Sequence, residues 1–273
     1  TSPHTLSLHD ALPIFSSANI WSAILGGIIF NASNILLSAS ISIAGMAVAF
    51  PLGVGLALVL GVIINYMSSP KGDPMILFAG VALIMIAIIF NGIASGKMKK
   101  ADKAASSKGI WLAIVAGILM SVFYRFVAAA MDVNNFESPT PGMATPYSAF
   151  FIFTLGMLAS NFVFNTFIMN KPFVGVPVTY GQYFKGSFPT HMVGIIGGLI
   201  WGLGTVLSFM AAGKAGAAIS YGLGQGATMV AALWGVFIWK EFKGGGRNVN
   251  LLLFLMFVLF ISGLALIILS GGN

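Results

Sequence analysis

The chain of 273 residues is 58% hydrophobic and 7% charged, with a formal net charge of +7 and a mean hydropathy of +0.98. A soluble domain carries roughly 25% charged residues, so water is excluded as the solvent for most of this surface. The absence of cysteine excludes disulfides, thiolate metal sites and cysteine nucleophiles.

Residues 1–15, TSPHTLSLHDALPIF, stand apart from the remainder of the chain. They lack an initiator Met and the basic start of a signal peptide, and they resemble translated sequencing-adapter sequence. They are read as a non-native leader, with the native frame beginning near Ser16 or Ser17. Eight apolar runs come after it, each long enough to cross a bilayer: roughly 19–38, 44–66, 74–94, 109–131, 146–169, 190–212, 215–239 and 249–270. The ten-residue alternating segments of an outer-membrane barrel are absent. The fold class is an all-α polytopic membrane protein.

A repeat organises these spans. Ala44 to Gly55 (AGMAVAFPLGVG) aligns without gaps on Ala215 to Gly226 (AGAAISYGLGQG), six of twelve positions being identical at an offset of 171. The same offset carries Gly26-Gly27 onto Gly197-Gly198 and Phe30 onto Trp201. Matching interruptions in two halves of an apolar chain are the mark of a secondary transporter, and they predict helix breaks at Pro51 and Gly222. Gly53, Gly224 and Gly226 are read as packing and break positions beside them. Spans one to three map onto six to eight, which leaves four and five without partners. A five-helix unit therefore predicts ten helices in two inverted halves, the first two lost where the leader begins. In domain terms, 16–95 is the remainder of the first repeat, 96–108 a basic linker and 109–273 the second repeat.

Basic residues orient the bundle. Lys97, Lys99, Lys100, Lys103, Lys108, Lys171, Lys185, Lys240, Lys243 and Arg247 share one side, against Lys71 and Lys214 on the other. This bias places the 95–108, 170–189 and 240–248 loops in the cytoplasm and the C-terminus outside, in a bacterial inner membrane.

Certain residues carry a family likeness: Gly26-Gly27-Ile28-Ile29-Phe30-Asn31, Ala44 to Pro51, Tyr124-Arg125-Phe126, Ser220 to Gly226, and Trp239-Lys240-Glu241-Phe242. Over about residues 19 to 270 the chain resembles the drug/metabolite transporter superfamily, and within it the glucose/ribose porter and ureide permease branch. The resemblance implies ten helices in inverted five-helix repeats and small-solute transport, often proton-coupled. The outward C-terminus fits the ureide permease branch and departs from the commonest superfamily arrangement, in which both termini are cytoplasmic.

Polar groups inside spans are costly in hydrocarbon and should face a cavity or a neighbouring helix. Arg125 is the only charge well inside a span. It reads either as a snorkelling residue paired with Asp132 or as a cavity charge, and Tyr124 stands beside it. Tyr221 and Gln225, at i and i+4, share a face that suits a broken-helix site or a packing seam. Asn31 with Asn34, and Asn161 with Asn165, offer uncharged amides for a sugar or nucleobase, or else bonds between helices. Trp201 offers a stacking face or ordinary packing. His191 has no second ligand at a suitable spacing, so no metal site is expected, and no cofactor, catalytic set or nucleic-acid partner either.

The sequence thus points to a secondary transporter for a small polar solute, a sugar first, by alternating access and with proton coupling. A ureide or nucleobase permease, a multidrug exporter and a non-transporting scaffold are the alternatives. Partners are the solute, membrane lipid and protons.

Overall fold

The computed structural model describes residues 15–98, 103–135 and 138–271. The leader up to residue 14, the central linker residues 99–102 with Lys99 and Lys100, and Glu137 lie outside the described residues. The chain forms helices α1 (Ser17–Ala44), α2 (Met46–Ser68), α3 (Pro74–Met98), α4 (Lys103–Ala130) and α5 (Pro146–Asn170), then a short α6 (Tyr180–Phe184). There follow α7 (Phe188–Ala215), α8 (Ala217–Gly224), α9 (Ala227–Leu233), a π-helical turn (Trp234–Ile238) and α10 (Gly246–Ser270). Eight helical segments are long and apolar enough to span a membrane, the seventh being the composite of α8, α9 and the π turn. Their limits match the expected spans within a few residues, except that α1 runs on to Ala44 and α4 begins at Lys103.

The starts of the helices reflect local chemistry. Ser16 accepts a hydrogen bond from Asn19 N at the start of α1. Asp73 accepts from Met75 N and Ile76 N at the start of α3. Thr145, with Pro146 behind it and Ser148 reciprocating, makes a capping box for α5.

Between α1 and α2, and again between α7 and α8, there is no loop at all. Gly45 (φ 86, ψ 158) and Gly216 (φ 86, ψ 157) each turn one helix directly into the next. That backbone conformation is open to glycine and strained for any residue with a Cβ. The two glycines are equivalents at the offset of 171. They lie at opposite ends of the bundle: Gly45 sits beside the Glu241 carboxylate and Gly216 against the Lys71 side chain.

The anticipated breaks move when seen in three dimensions. Pro51 does not break α2, which is continuous through it. A proline there cannot donate to the carbonyl four residues back, that of Ala47. Asn91 of α3 takes over, its Nδ2 donating to Ala47 O at 2.7 Å. In the second copy Gly222 stays helical, and the irregularity falls at Leu223–Met229. There Gly226 N, Thr228 N and Met229 N bond three residues back rather than four, and Gly224 and Gly226 bound the tightened stretch. Gly53 is a packing position, since a Cβ on it would come within 3.2 Å of Ala113 O.

Helix α2 is the most buried span. It is enclosed by α1, α3, α4, α8 and α9, while α3 packs along α10 and α1 crosses α5. That last crossing is so close that a Cβ on Gly27 would meet Phe153 O at 2.1 Å. Helix α7 stands apart, burying only Phe209 and Ala212.

The exchange at Pro51 yields a double-mutant prediction. Asn91→Leu leaves Ala47 O without a donor and lowers unfolding stability in detergent by about 1–3 kcal/mol. In a Pro51→Ala background, where the backbone N–H returns, the same replacement has a markedly smaller effect.

Candidate functional site

A cavity of about 450 Å³ lies between α1, α2, α4, α7 and α8. Its lining is paired by the repeat: Phe30 with Trp201, Asn34 with Thr205, Leu37 with Ser208, Phe50 with Tyr221, and Val54 with Gln225. Each pair is separated by 171 residues. Phe30 and Trp201 stack on one another, with ring centroids 4.9 Å apart and planes 24° apart, so equivalent positions of the two copies meet face to face. In three of the five pairs the later copy supplies a hydroxyl or amide where the earlier one is apolar.

Phe123 continues the aromatic wall, edge-on to Phe30 at 4.9 Å. Tyr124 packs edge-on to both Phe209 and Tyr221. The polar groups facing this wall are Asn34, Thr205, Ser208 and Gln225. Among the described residues no carboxylate, lysine, arginine or histidine lines the cavity, a lining that suits an uncharged solute with exchangeable hydrogen bonds.

The two tyrosines serve two ends. The Tyr221 hydroxyl lies 2.9 Å from Met120 O and 3.1 Å from Ala57 O, so its proton is shared between two backbone carbonyls. Its ring covers Gly61, where a Cβ would be 2.1 Å from Cε1. Tyr221 thereby ties α8 to α2 and α4 while its ring forms cavity wall. Tyr124 donates to Ser208 O at 3.3 Å, and Ser220 Oγ donates to the same carbonyl. Ser208 Oγ returns a bond to Ser220 O at 3.2 Å, which locks α7 to α8 beside the cavity. Gln225 is half-buried. It ends α8 where the backbone hydrogen bonds pass from a four-residue to a three-residue spacing, beside the space that Gly224 and Gln225 line.

Five of the nine residues singled out in the sequence thus meet at one cavity: Asn34, Tyr124, Trp201, Tyr221 and Gln225. The other four lie elsewhere. Asn31 is buried between α1 and α5, donating to Ser160 Oγ at 2.9 Å and to Met157 O at 3.3 Å. Asn161 is exposed and Asn165 half-exposed on α5, outside the cavity lining. Arg125 is exposed as well. Asp132, its expected partner, is taken up by its own loop: it accepts from Thr140 N and Oγ1 and from Asn134 N and Asn135 N. Those bonds, Thr140's backbone N–H first, hold its carboxyl below the usual carboxylate range. Thr205 and Ser208 are polar cavity residues that sequence reasoning missed. Their spacing of four and seven from Trp201 is the one-face signal that marks them.

Eight helical segments able to span a membrane, and a cavity lined by equivalent positions of a repeat, are the architecture of a membrane transporter. Residues 96–270 match the family model described as ureide permease, and the chain belongs to that family. It is 28% identical to ureide permease 2 of Arabidopsis thaliana over 60% of this chain and 42% of that one. With ureide permease 1 of the same plant it shares 22% identity over 92% of this chain and 78% of the relative. The probable glucose uptake protein GlcU of Bacillus cereus is 22% identical over 90% and 78%. The chain therefore spans less than half the length of the first of these relatives and about four fifths of the other two. No solved structure matches the chain.

The division of labour at the cavity gives a paired prediction. Tyr221→Phe lowers stability in detergent by about 1–2 kcal/mol, because the buried hydroxyl that bonds the backbones of two other helices is lost. Gln225→Leu shifts stability by no more than about 0.5 kcal/mol, since the site is half-open. Unfolding midpoints of the two variants check both.

Proposed function

We propose that the chain is a permease for a small, uncharged, flat polar solute of the ureide class, moved by alternating access between two inverted repeats. The supporting observation is the cavity lined by residue pairs at a constant offset. A site at a repeat interface is reached from either side of the membrane as the two halves rock. A planar ring with several N–H and C=O groups matches the stacked Phe30 and Trp201 and the amides of Asn34 and Gln225. An aromatic wall also accepts a sugar ring, and the likeness to a glucose uptake protein favours a sugar as the second reading.

The ten-helix architecture is supported by packing. On α1, a Cβ at Gly26 would meet Val127 of α4 and one at Gly27 would meet Phe153 of α5, whereas a Cβ at their equivalents Gly197 and Gly198 on α7 would meet none of the described residues within 4 Å. By symmetry α7 is the seat of a two-helix unit resembling α4 and α5. The division at 96–108 and the placement of the basic loops in the cytoplasm of a bacterial inner membrane complete this reading. Proton coupling has little support in the cavity itself. The acids among the described residues, Asp73, Asp132 and Glu241, stand at helix ends.

Binding of labelled allantoin, glucose and a cationic dye to the purified chain tests the proposal, followed by counterflow in proteoliposomes. Saturable allantoin binding, weakened about tenfold by Gln225→Leu, is the expected result, one tenfold step corresponding to about 1.4 kcal/mol. Glucose binding in its place selects the second reading. A dye bound while neither solute is bound overturns both.

A further inference from the structure

Two contacts between the halves stand outside the cavity, and the repeat relates their settings. At the cytoplasmic end, the Glu241 carboxylate accepts from Met46 N at 3.2 Å and from Ala47 N at 2.9 Å. These are the first amides of α2, at the positive end of its dipole, and Gly45 offers no side-chain cap of its own. Glu241 is held there by a strained approach. Lys240 before it adopts φ 53, the one positive φ outside glycine among the described residues, and Glu241 N bonds back to Gly235 O. Gly235 itself lies so near Ala47 that a Cβ would be 2.8 Å from the alanine's. At the outer end, Lys71 Nζ donates to Gly213 O at 2.9 Å, near the negative end of α7, and its stem covers Gly216. Residue 71 lies one place beyond the equivalent of Glu241.

We propose that Glu241 and Lys71 are positioning residues that act as the two gate latches of the transport cycle, one at each membrane face. Glu241 closes the cytoplasmic side by pinning the second half to the start of α2. Lys71 closes the outer side by pinning the first half to the end of α7. The chemistry is matched to the helix ends: an anion on the amino end of one helix, a cation on the carboxyl end of the other. The strengths differ. Glu241 is half-buried and makes two charge-assisted bonds, whereas Lys71 is exposed and makes one. With the inner latch the stronger, the resting protein favours opening to the outside, the sense suited to uptake. This inference rests on the permease reading.

The protein contains no cysteine, so single reporters can be placed without removing any. Ala232→Cys, buried near the cytoplasmic end, and Ala217→Cys, buried near the outer end, are labelled with a maleimide in proteoliposomes in the absence of any solute. Glu241→Gln removes the charge and one acceptor. It should raise labelling at position 232 about fivefold or more and lower it at 217. Lys71→Gln should do the reverse, by a smaller factor. Glu241→Asp should behave less severely than Glu241→Gln. Opposite shifts establish the latches. Labelling that rises at both reporters indicates loosened folding and overturns the proposal, and so does labelling that changes at neither. Because no solute is used, failure here is distinct from failure to find the transported molecule.

Discussion

A polar backbone group without a partner is expensive in hydrocarbon, and α2 concentrates that problem because it is the most buried span and contains a proline. Three of its backbone sites are met by side chains from three other elements. Glu241 takes the amides of Met46 and Ala47, Asn91 of α3 supplies a donor to Ala47 O, and Tyr221 of α8 donates toward Ala57 O. The first two bonds exist because the helix cannot satisfy itself there, at its first turn and opposite a proline, and the third is an added bond where Gly61 lets an aromatic ring lie on the backbone. The result is a central rod whose neighbours are registered by polar bonds rather than by apolar shape alone. Apolar contact would not register them, since lipid tails are as apolar as leucine.

Such a rod lets the surrounding helices meet a cavity without carrying charge into it. Phe30 against Trp201 is the centre of the arrangement, two equivalent rings stacked where the copies meet. Around them the copies have diverged in one direction: Leu37, Phe50 and Val54 are apolar where Ser208, Tyr221 and Gln225 are not. A symmetric scaffold thus encloses an asymmetric site. On the proposed reading, gating uses the symmetry while recognition uses its violation.

Much of this is legible in the chain, and what is not has identifiable causes. The eight spans come from hydropathy, and the offset of 171 comes from identity, because a turn at φ 86 admits little but glycine at both Gly45 and Gly216. The helix breaks lie elsewhere than expected because Pro51 names a missing donor but not its replacement. Asn91 lies forty residues away, and only packing brings it to Ala47. The amide pairs are harder still. Asn31 and Asn34 lie one turn apart, yet one is turned into the α1–α5 crossing and the other into the cavity. In a membrane helix the lipid face and the protein face are both apolar, so the periodicity that sorts faces in a soluble helix is missing. Thr205 and Ser208 escape notice for a related reason. A single hydroxyl is readily satisfied by its own helix, and only the stripe with Trp201 sets them apart.

Arg125 shows where a charge belongs in this design. Placed at the cavity it would have demanded a counter-ion or an anionic solute. It lies instead on an exposed face, and Asp132 is taken up by Thr140, Asn134 and Asn135 in its own loop. The acids that remain among the described residues sit at helix ends, where water and dipoles stabilise their charge. A neutral cavity discriminates against ions by desolvation and against apolar molecules by the hydroxyls and amides they would leave unpaired. On the proposed reading, what passes both filters is a molecule that is polar and uncharged. Under the proposed function, selectivity would depend as much on the groups kept out of the cavity as on those that line it.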